Sequence, residues 1–253
     1  VAIGTSAGQI TQNTNSIAIG TNAGEQGQYE SAIAVGSNAG NSAQGDEAIA
    51  IGTGAGKTTQ GTLSVAVGSS AGNATQGSGA VAIGYLAGSN AQGENGIAIG
   101  TSAGETTQGV DGIAIGSSAG QTTQASWAVA LGYNAGNNDQ KASAVAVGHL
   151  AGQTTQAANS IAIGYQAGHD DQKTLAISIG DHGGQTSQAT LAVAIGHSAG
   201  QTDQKASAIA IGERAGKTTQ GTNSIAIGSS AGETTQNDNS IVLNATGGTL
   251  DTL

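Results

Sequence analysis

The chain has 253 residues, among them 44 glycines, one tryptophan and four tyrosines, and it has no proline, cysteine, methionine or phenylalanine. This composition excludes a conventional core of large side chains, and it excludes disulfide bonds. Sixteen acidic residues against six basic ones give a formal charge of −10, which argues against partners such as nucleic acids and anionic lipids. No apolar run is long enough to cross a bilayer, so we expect no membrane insertion.

One 16-residue phrase repeats along the chain without insertion or deletion. Numbered from its first residue, it reads aliphatic, Ala, aliphatic, Gly at positions one to four, Ala-Gly at seven and eight, and Gln at twelve. The marker residues at positions four and twelve begin with Gly4, Gly20 and Gly36 and with Gln12 and Gln28. A period this strict predicts an all-β protein, a parallel β-roll or β-solenoid with one coil per repeat. We expect residues 1–236 to form the repetitive part and 237–253 to be a closing segment that leads toward an absent C-terminal region.

Positions one to three predict a short strand, because β-branched residues alternate with a small one. We expect the two aliphatics to face the inside of the coil. The alanines between them, such as Ala18 and Ala34, then point the other way, toward a second buried face formed by another sheet or by a neighbouring chain, of which we favour the chain. Two buried aliphatics per coil stabilise far less than ordering the backbone costs, so the pattern predicts an obligate oligomer.

The second half of each coil predicts another strand between glycine corners, as at residues 105–108. Glycine at positions four and eight suits bends that need positive φ. For the recurring glutamine two interpretations remain open. It forms an amide ladder along the stacked coils, or it is a buried amide that satisfies a turn.

Aromatic and histidine side chains at position five are the candidate receptor or glycan contacts. They are Tyr85, Tyr133, His149, Tyr165 and His197. Three of them lie on successive coils and would stack about 4.8 Å apart. Such a ladder serves either as a glycan platform or as a stabilising cross-strand stack. We interpret Trp127, at position fifteen, as an interchain packing residue.

Candidate chemical sites do not meet the requirements of their motifs. The glycine-rich segments 52–58 and 212–218 have isoleucine where a phosphate loop needs its first glycine, at Ile51 and Ile211. His169, Asp170 and Asp171 lack a matching ligand set on a neighbouring coil. We therefore predict a protein that is not an enzyme, with no catalytic residue, cofactor or metal.

Two further patterns have plain interpretations. Lysine follows aspartate by two residues in every second coil from Asp139 onward, which allows exposed ion pairs and indicates duplication of a two-coil unit. These pairs are Asp139 with Lys141, Asp171 with Lys173, and Asp203 with Lys205. Residues 73–75 and 244–246 match the glycosylation sequon by pattern only.

The phrases at residues 15–20, 159–164 and 223–228, each reading Asn-Ser-Ile-Ala-Ile-Gly, resemble the head repeat of trimeric autotransporter adhesins. The resemblance implies a left-handed parallel β-roll and a homotrimer of side-by-side chains. The 16-residue period with Ala-Gly-x-Thr-Thr-Gln at 103–108 is similar to fibre repeats of large DNA viruses and phages. Residues 239–247 resemble the segment that closes such shafts before a C-terminal chaperone.

These resemblances lead to three hypotheses for function. The first is a structural shaft of a trimeric attachment protein on a virion surface, which mediates host adhesion through a receptor or glycan. The alternative is a bacterial adhesin head, on the outer surface of the cell, that binds matrix or glycans. The third, an ice-binding solenoid, is disfavoured because adjacent threonines such as Thr58 and Thr59 are expected to point to opposite faces.

Overall fold

The computed structural model describes residues 1–244. The chain divides into two compact units, Val1–Asn138 and Asp139–Leu253, of which the second is described as far as residue 244. Each unit is a parallel β-solenoid of 16-residue coils, as the repeat predicts. In this part of the chain no helix is long and apolar enough to cross a membrane.

The first unit consists of two parallel sheets. Its strands, in chain order, are β1 (Ala2–Ile3), β2 (Ile10–Gln12), β3 (Ile17–Ile19), β4 (Gln26–Gln28), β5 (Ile33–Val35), β6 (Ala43–Gln44), β7 (Ile49–Ile51), β8 (Thr59–Gln60), β9 (Val65–Val67), β10 (Thr75–Gln76), β11 (Val81–Ile83), β12 (Ala91–Gln92), β13 (Ile97–Ile99), β14 (Thr107–Gln108), β15 (Ile113–Ile115), β16 (Thr123–Gln124) and β17 (Val129–Leu131). The odd-numbered strands form the first sheet and the even-numbered strands the second. Each residue pairs with its equivalent 16 residues later, as Ala82 does with Ala98.

The second unit likewise has two parallel sheets, of which the second is shorter. Its strands are β18 (Val145–Val147), β19 (Ile161–Ile163), β20 (Ile177–Ile179), β21 (Val193–Ile195), β22 (Ile209–Ile211), β23 (Thr219–Gln220), β24 (Ile225–Ile227), β25 (Thr235–Gln236) and β26 (Ile241–Leu243). Strands β23 and β25 pair with each other, and isolated bridges such as Gln156↔Gln172 take the place of second-sheet strands in the earlier coils. The remaining seven strands form the first sheet.

The core of each coil is made of alanine and glutamine, not of branched aliphatics. Ala18 at position two, Ala23 at position seven and Gln28 at position twelve are all fully buried within the chain. Ile17 and Ile19, on either side of Ala18, are only partly covered. The predicted orientation of the first strand is therefore wrong, because the aliphatics point outward and the alanines form the coil's own interior. Of the two alternatives for the alanine face, the favoured neighbouring chain is wrong, and the other sheet of the same coil covers it.

The narrow interior explains this orientation. A Cβ placed on Gly24, across the coil, would lie 3.4 Å from the Cβ of Ala18, which is ordinary contact for a methyl group. A branched side chain at position two of an interior coil would overlap the opposite wall, so only a small residue fits there. The sequence pattern states which residues share a face, but the width of the coil decides which face is inside.

The recurring glutamine satisfies both of its predicted roles. The side-chain amide of Gln28 donates to the carbonyl of Ile17 across the core at 2.7 Å and to that of Ala32 at 3.1 Å. It also donates to Oε1 of Gln44, at 3.2 Å, in the next coil. The amide of Gln28 thus joins the two halves of its coil and forms a ladder to the next, and the ladder is interrupted at Gln60, Gln76 and Gln92, whose Oε1 atoms accept no hydrogen bond.

Glycine corners confirm the predicted positive φ angles. Gly84, at position four, has φ +131°, and a Cβ there would lie 2.6 Å from the carbonyl oxygen of Gly100. Gly88, at position eight, has φ +52°, and its Cβ would press on the amide of Gln92 at 2.7 Å. Position four therefore requires glycine for two reasons, conformation and close approach of the next coil.

The two units differ at positions eleven and thirteen. In the first unit position thirteen is mostly glycine, and a Cβ on Gly61 would lie 2.5 Å from the backbone nitrogen of Ser78. In the second unit Asp171 takes a left-handed conformation, with φ +59°, and Lys173 occupies position thirteen. Aspartate tolerates this conformation better than most residues. In these coils isolated bridges replace the strands of the second sheet, and position thirteen accommodates the long lysine side chain.

Candidate functional site

The outward-facing aliphatics of the first sheet form a continuous apolar surface in each unit, which we call the aliphatic stripe. It consists of the residues at positions one and three of each coil. At position three of the interior coils, Ile19 is 37% exposed and Leu131 is 43% exposed. The stripe contains no charged side chain, since both positions hold Ile, Val or Leu throughout the described coils.

Further exposed apolar side chains lie at position fifteen, at the turn before the first strand. They are Leu63, Trp127, Leu175 and Leu191. All four have left-handed backbones, with φ between +59° and +62°, a conformation in which Asn or Gly is less strained. Trp127 is 61% exposed, which leaves its predicted role in interchain packing open to test.

The ring ladder is confirmed in part. The rings of His149 and Tyr165 stack with centroids 5.2 Å apart and planes inclined by 12°. The next ring along is His182, tilted by 59° to Tyr165 at the same centroid distance. Tyr133 occupies the same coil position but belongs to the first unit. Since stacked rings cover each other's faces, the ladder presents mainly nitrogen and hydroxyl edges.

Sequence analysis did not identify His182, because it lies at position six of a coil that has Asp181 at position five. A left-handed backbone at His182, with φ +56°, brings its ring beside Tyr165, and its Nδ1 contacts the Asp181 carboxylate. Every position six of the described coils has this positive φ in common. Tyr85 and His197 stay predicted receptor contacts at position five of other coils.

The carboxyl group of Asp170 is the most perturbed acid in the described part of the chain. Burial acts to raise its pKa, but a hydrogen bond from Thr154 Oγ1, at 2.7 Å, and the imidazole of His169, 3.0 Å away, lower the pKa overall. No group of three or more potential metal-ligating side chains comes together among residues 1–244.

The predicted ion pairs are present in the second unit. The distance from the lysine Nζ to the aspartate Oδ1 is 2.6 Å in Asp139–Lys141, 2.5 Å in Asp171–Lys173 and 2.6 Å in Asp203–Lys205. All six side chains are about half exposed, so solvent screens these pairs and each contributes little to stability.

Two smaller predictions from the sequence have different outcomes. Thr58 and Thr59 are both exposed, so the expectation that adjacent threonines face opposite sides is wrong there. The reason is that β8 begins at Thr59, and strand alternation does not extend to Thr58. At the first sequon, Asn73 Nδ2 donates to the carbonyl of Gly54 at 2.9 Å, whereas residues 245 and 246 of the second lie outside the described residues.

Comparison with known proteins bears on the repeat itself. A family model described as the YadA head domain repeat matches the chain in two copies, at residues 11–23 and 76–103. No curated protein and no solved structure matches the chain significantly. Both matched segments include position-two alanines of the first sheet, Ala18 and Ala82. In its repeat and in its parallel β-solenoid fold, the chain resembles the heads of trimeric autotransporter adhesins.

Proposed function

We propose that this chain is part of the head of a trimeric adhesin displayed on the outer surface of a bacterium. The match to the YadA head domain repeat favours this hypothesis over a virion fibre, which no match supports. The protein acts by binding and presentation and not by catalysis. Sequencing the flanking coding region separates the two hosts, since a membrane anchor indicates the bacterial protein and an intramolecular chaperone the viral one.

The observation that carries the proposal is the aliphatic stripe. In the first unit it follows nine neighbouring strands, which at about 4.8 Å per strand gives a length of roughly 40 Å. Its two aliphatics per coil lie two residues apart, so it is about 7 Å wide. These dimensions give roughly 280 Å², close to the largest apolar patch of a typical monomer, and such patches are often binding surfaces, so the stripe favours a partner.

Further copies of the same chain are the partners that fit. A stripe with the same 16-residue period lies on every copy, so parallel chains in register match aliphatic to aliphatic along the whole sheet. The stripe has no charged group that could pair with the surface of a different protein. Because the chain's net charge is −10, two copies repel each other where their charged faces meet, so the uncharged stripe is the face through which they can associate. Likeness to the adhesin heads favours three copies around one axis.

Native mass measured by light scattering tests the assembly. We expect about three times the chain mass of 24.1 kDa. Ile83→Asp, which places a charge in the stripe, is expected to shift the protein toward monomer or to unfold it. The matched control is Thr107→Asp on the second sheet, where the side chain is exposed, and it is expected to leave the mass unchanged. A wild-type monomer at micromolar concentration overturns the proposal.

Adhesion itself needs a separate assay. Beads coated with the purified trimer are expected to attach to extracellular-matrix proteins or to cells that display surface glycans. Beads coated with the Ile83→Asp protein serve as the comparison where circular dichroism shows that this variant is folded, because it then keeps the outer surfaces but loses the assembled head. No attachment by the wild-type beads contradicts an adhesive role for this region, and equal attachment of both bead types contradicts the dependence of adhesion on the trimer.

A further inference from the structure

Within the second unit the outer face of the second half of the coil alternates between charged ridges and shallow troughs. One trough lies between the Asp171–Lys173 and Asp203–Lys205 pairs, and its volume is about 190 Å³. Ser187 and Ala189, in the intervening coil, form its floor. The two ridges are two coils apart, which is roughly 9.6 Å at the usual strand spacing.

The local backbone produces this relief. Asp171, Ser187 and Asp203 all have left-handed φ angles, between +55° and +59°, at position eleven. Where position thirteen of the first unit has glycine, as at Gly61, the coil path leaves no room for a side chain there. The coils of the first unit with glycine at position thirteen therefore lack the side-chain relief that the aspartate–lysine coils have.

The chemistry of the trough selects its ligand. Each wall presents a carboxylate that accepts hydrogen bonds and an ammonium group that donates them, while the floor offers one hydroxyl and one methyl. Hydroxyl groups both donate and accept, so a sugar ring pairs with both kinds of wall group and places its C–H face on Ala189. Anionic ligands are disfavoured, because each pair is neutral and the chain as a whole is negative.

The size of the trough points to one sugar ring and not to a protein partner. A stable protein interface buries about 800 Å² on each partner, far more than a trough between two ridges provides. The charged ridges recur at every second coil, since a third pair, Asp139–Lys141, lies one two-coil period earlier. Ridges with this spacing match a polymer that repeats at every second sugar, as β-1,4-linked chains do.

We propose that the trough between Asp171–Lys173 and Asp203–Lys205 binds a sugar ring of a neutral, extended polysaccharide. This inference rests on the proposed function in that it names a ligand class for adhesion. The site itself is formed by one chain, and it lies on the side of the coil opposite the aliphatic stripe. It therefore stays accessible in the proposed trimer, and sugar binding and assembly are measured separately.

Calorimetric titration of the whole chain with cellohexaose, a β-1,4-linked glucose hexamer, tests the proposal. We expect saturable binding in the millimolar range or tighter. Maltohexaose has the same sugar but a coiled shape, and it is expected to bind more weakly. The double variant Asp203→Ala/Lys205→Ala removes one wall and is expected to weaken cellohexaose binding roughly tenfold, since it deletes charged hydrogen-bonding partners. Thr107→Ala, at position eleven in the first unit, is the control and should leave affinity unchanged.

The outcomes are distinct. Absence of saturable cellohexaose binding overturns the inference, as does equal binding by the double variant. Tighter binding of a hexamer of galacturonate, which is anionic, also contradicts it. Circular dichroism and native mass of each variant show whether fold and assembly persist. A wild-type trimer that does not bind the sugar contradicts the proposed site but not the assembly. A wild-type monomer that binds the sugar contradicts the assembly but not the site.

Discussion

Ser178 Oγ donates a hydrogen bond to Oε1 of Gln188, at 2.7 Å, inside the coil. Ser178 replaces the alanine that position two otherwise holds in the interior coils, and it is fully buried. The same oxygen of Gln188 also accepts from Nε2 of Gln172, at 3.0 Å. A buried hydroxyl is tolerated here because the glutamine ladder has a second lone pair to offer. The ladder therefore decides which substitutions the core accepts.

The first prediction concerns the ladder and compares two glutamines of one coil. Gln204 donates to the carbonyls of Val193 and Ala208 and to Gln220, whereas Gln201 bonds only to Gln185 near the surface. Gln204→Leu removes the buried hydrogen bonds to both carbonyls and to Gln220, and it is expected to cost about 2–4 kcal/mol of the free energy of unfolding. Gln201→Leu should cost about 1 kcal/mol or less. Denaturant midpoints measure both, and equal losses would show that the ladder contributes nothing particular.

The second prediction tests the size of the interior at Ala194. Ala194→Ser is expected to change the free energy of unfolding by less than about 1 kcal/mol, because the new hydroxyl can donate to Gln204 as Ser178 does to Gln188. Ala194→Val adds two methyl groups to a space that alanine fills and should cost about 1–3 kcal/mol. Thermal unfolding of the two variants checks the order. A valine variant as stable as wild type contradicts the narrow core.

The third prediction separates two effects of glycine. Gly84 and Gly79 both have positive φ, at +131° and +67°. A Cβ on Gly84 meets the backbone of the next coil, whereas a Cβ on Gly79 meets only the side chain of Asn95, at 2.7 Å, which can move. Gly84→Ala is expected to cost about 3 kcal/mol or to prevent folding.

Gly79→Asn is the matched control, since other coils carry asparagine at position fifteen with similar φ, for example Asn159. It should change the free energy of unfolding by about 1 kcal/mol or less. Soluble yield and the unfolding midpoint are the measurements. Comparable damage by both substitutions would contradict a stricter requirement for glycine at position four than at position fifteen.

The repeat predicts the coil length, the parallel register and the glycine corners, because each depends on spacing along the chain. It does not predict that Ala18 faces inward and Ile19 outward, since alternation defines two faces without naming the buried one. The width that decides this depends on the distance between opposite halves of a coil, as between Ala18 and Gly24. Likewise, His182 joins Tyr165 through a turn conformation that residue spacing does not reveal.

The last prediction is a pH dependence at Asp170. Burial alone would raise the pKa of this carboxyl, but Thr154 and His169 lower it below the unfolded value of 3.8. The ionised form is thus favoured by folding. Its contribution to stability is present above pH 4, and it is lost as pH falls through the lowered pKa of the folded state. Because the side chain is 45% exposed, we expect the contribution to be less than about 1 kcal/mol.

Asp170→Asn and Thr154→Val test this dependence from its two sides. Asp170→Asn removes the titrating group, so the loss of stability between pH 5 and pH 2 should become smaller than in wild type. Thr154→Val removes the 2.7 Å hydrogen bond and should move the carboxyl's pKa back toward 3.8, which carbon-13 NMR of the carboxyl group measures directly. Asp238→Asn is the control. The Asp238 side chain is exposed, and its carboxylate accepts a hydrogen bond from the backbone nitrogen of Thr222 and not from a side chain. An Asp170 pKa at or above 3.8 in the wild-type protein contradicts the prediction, because the hydrogen bonds would then fail to offset burial.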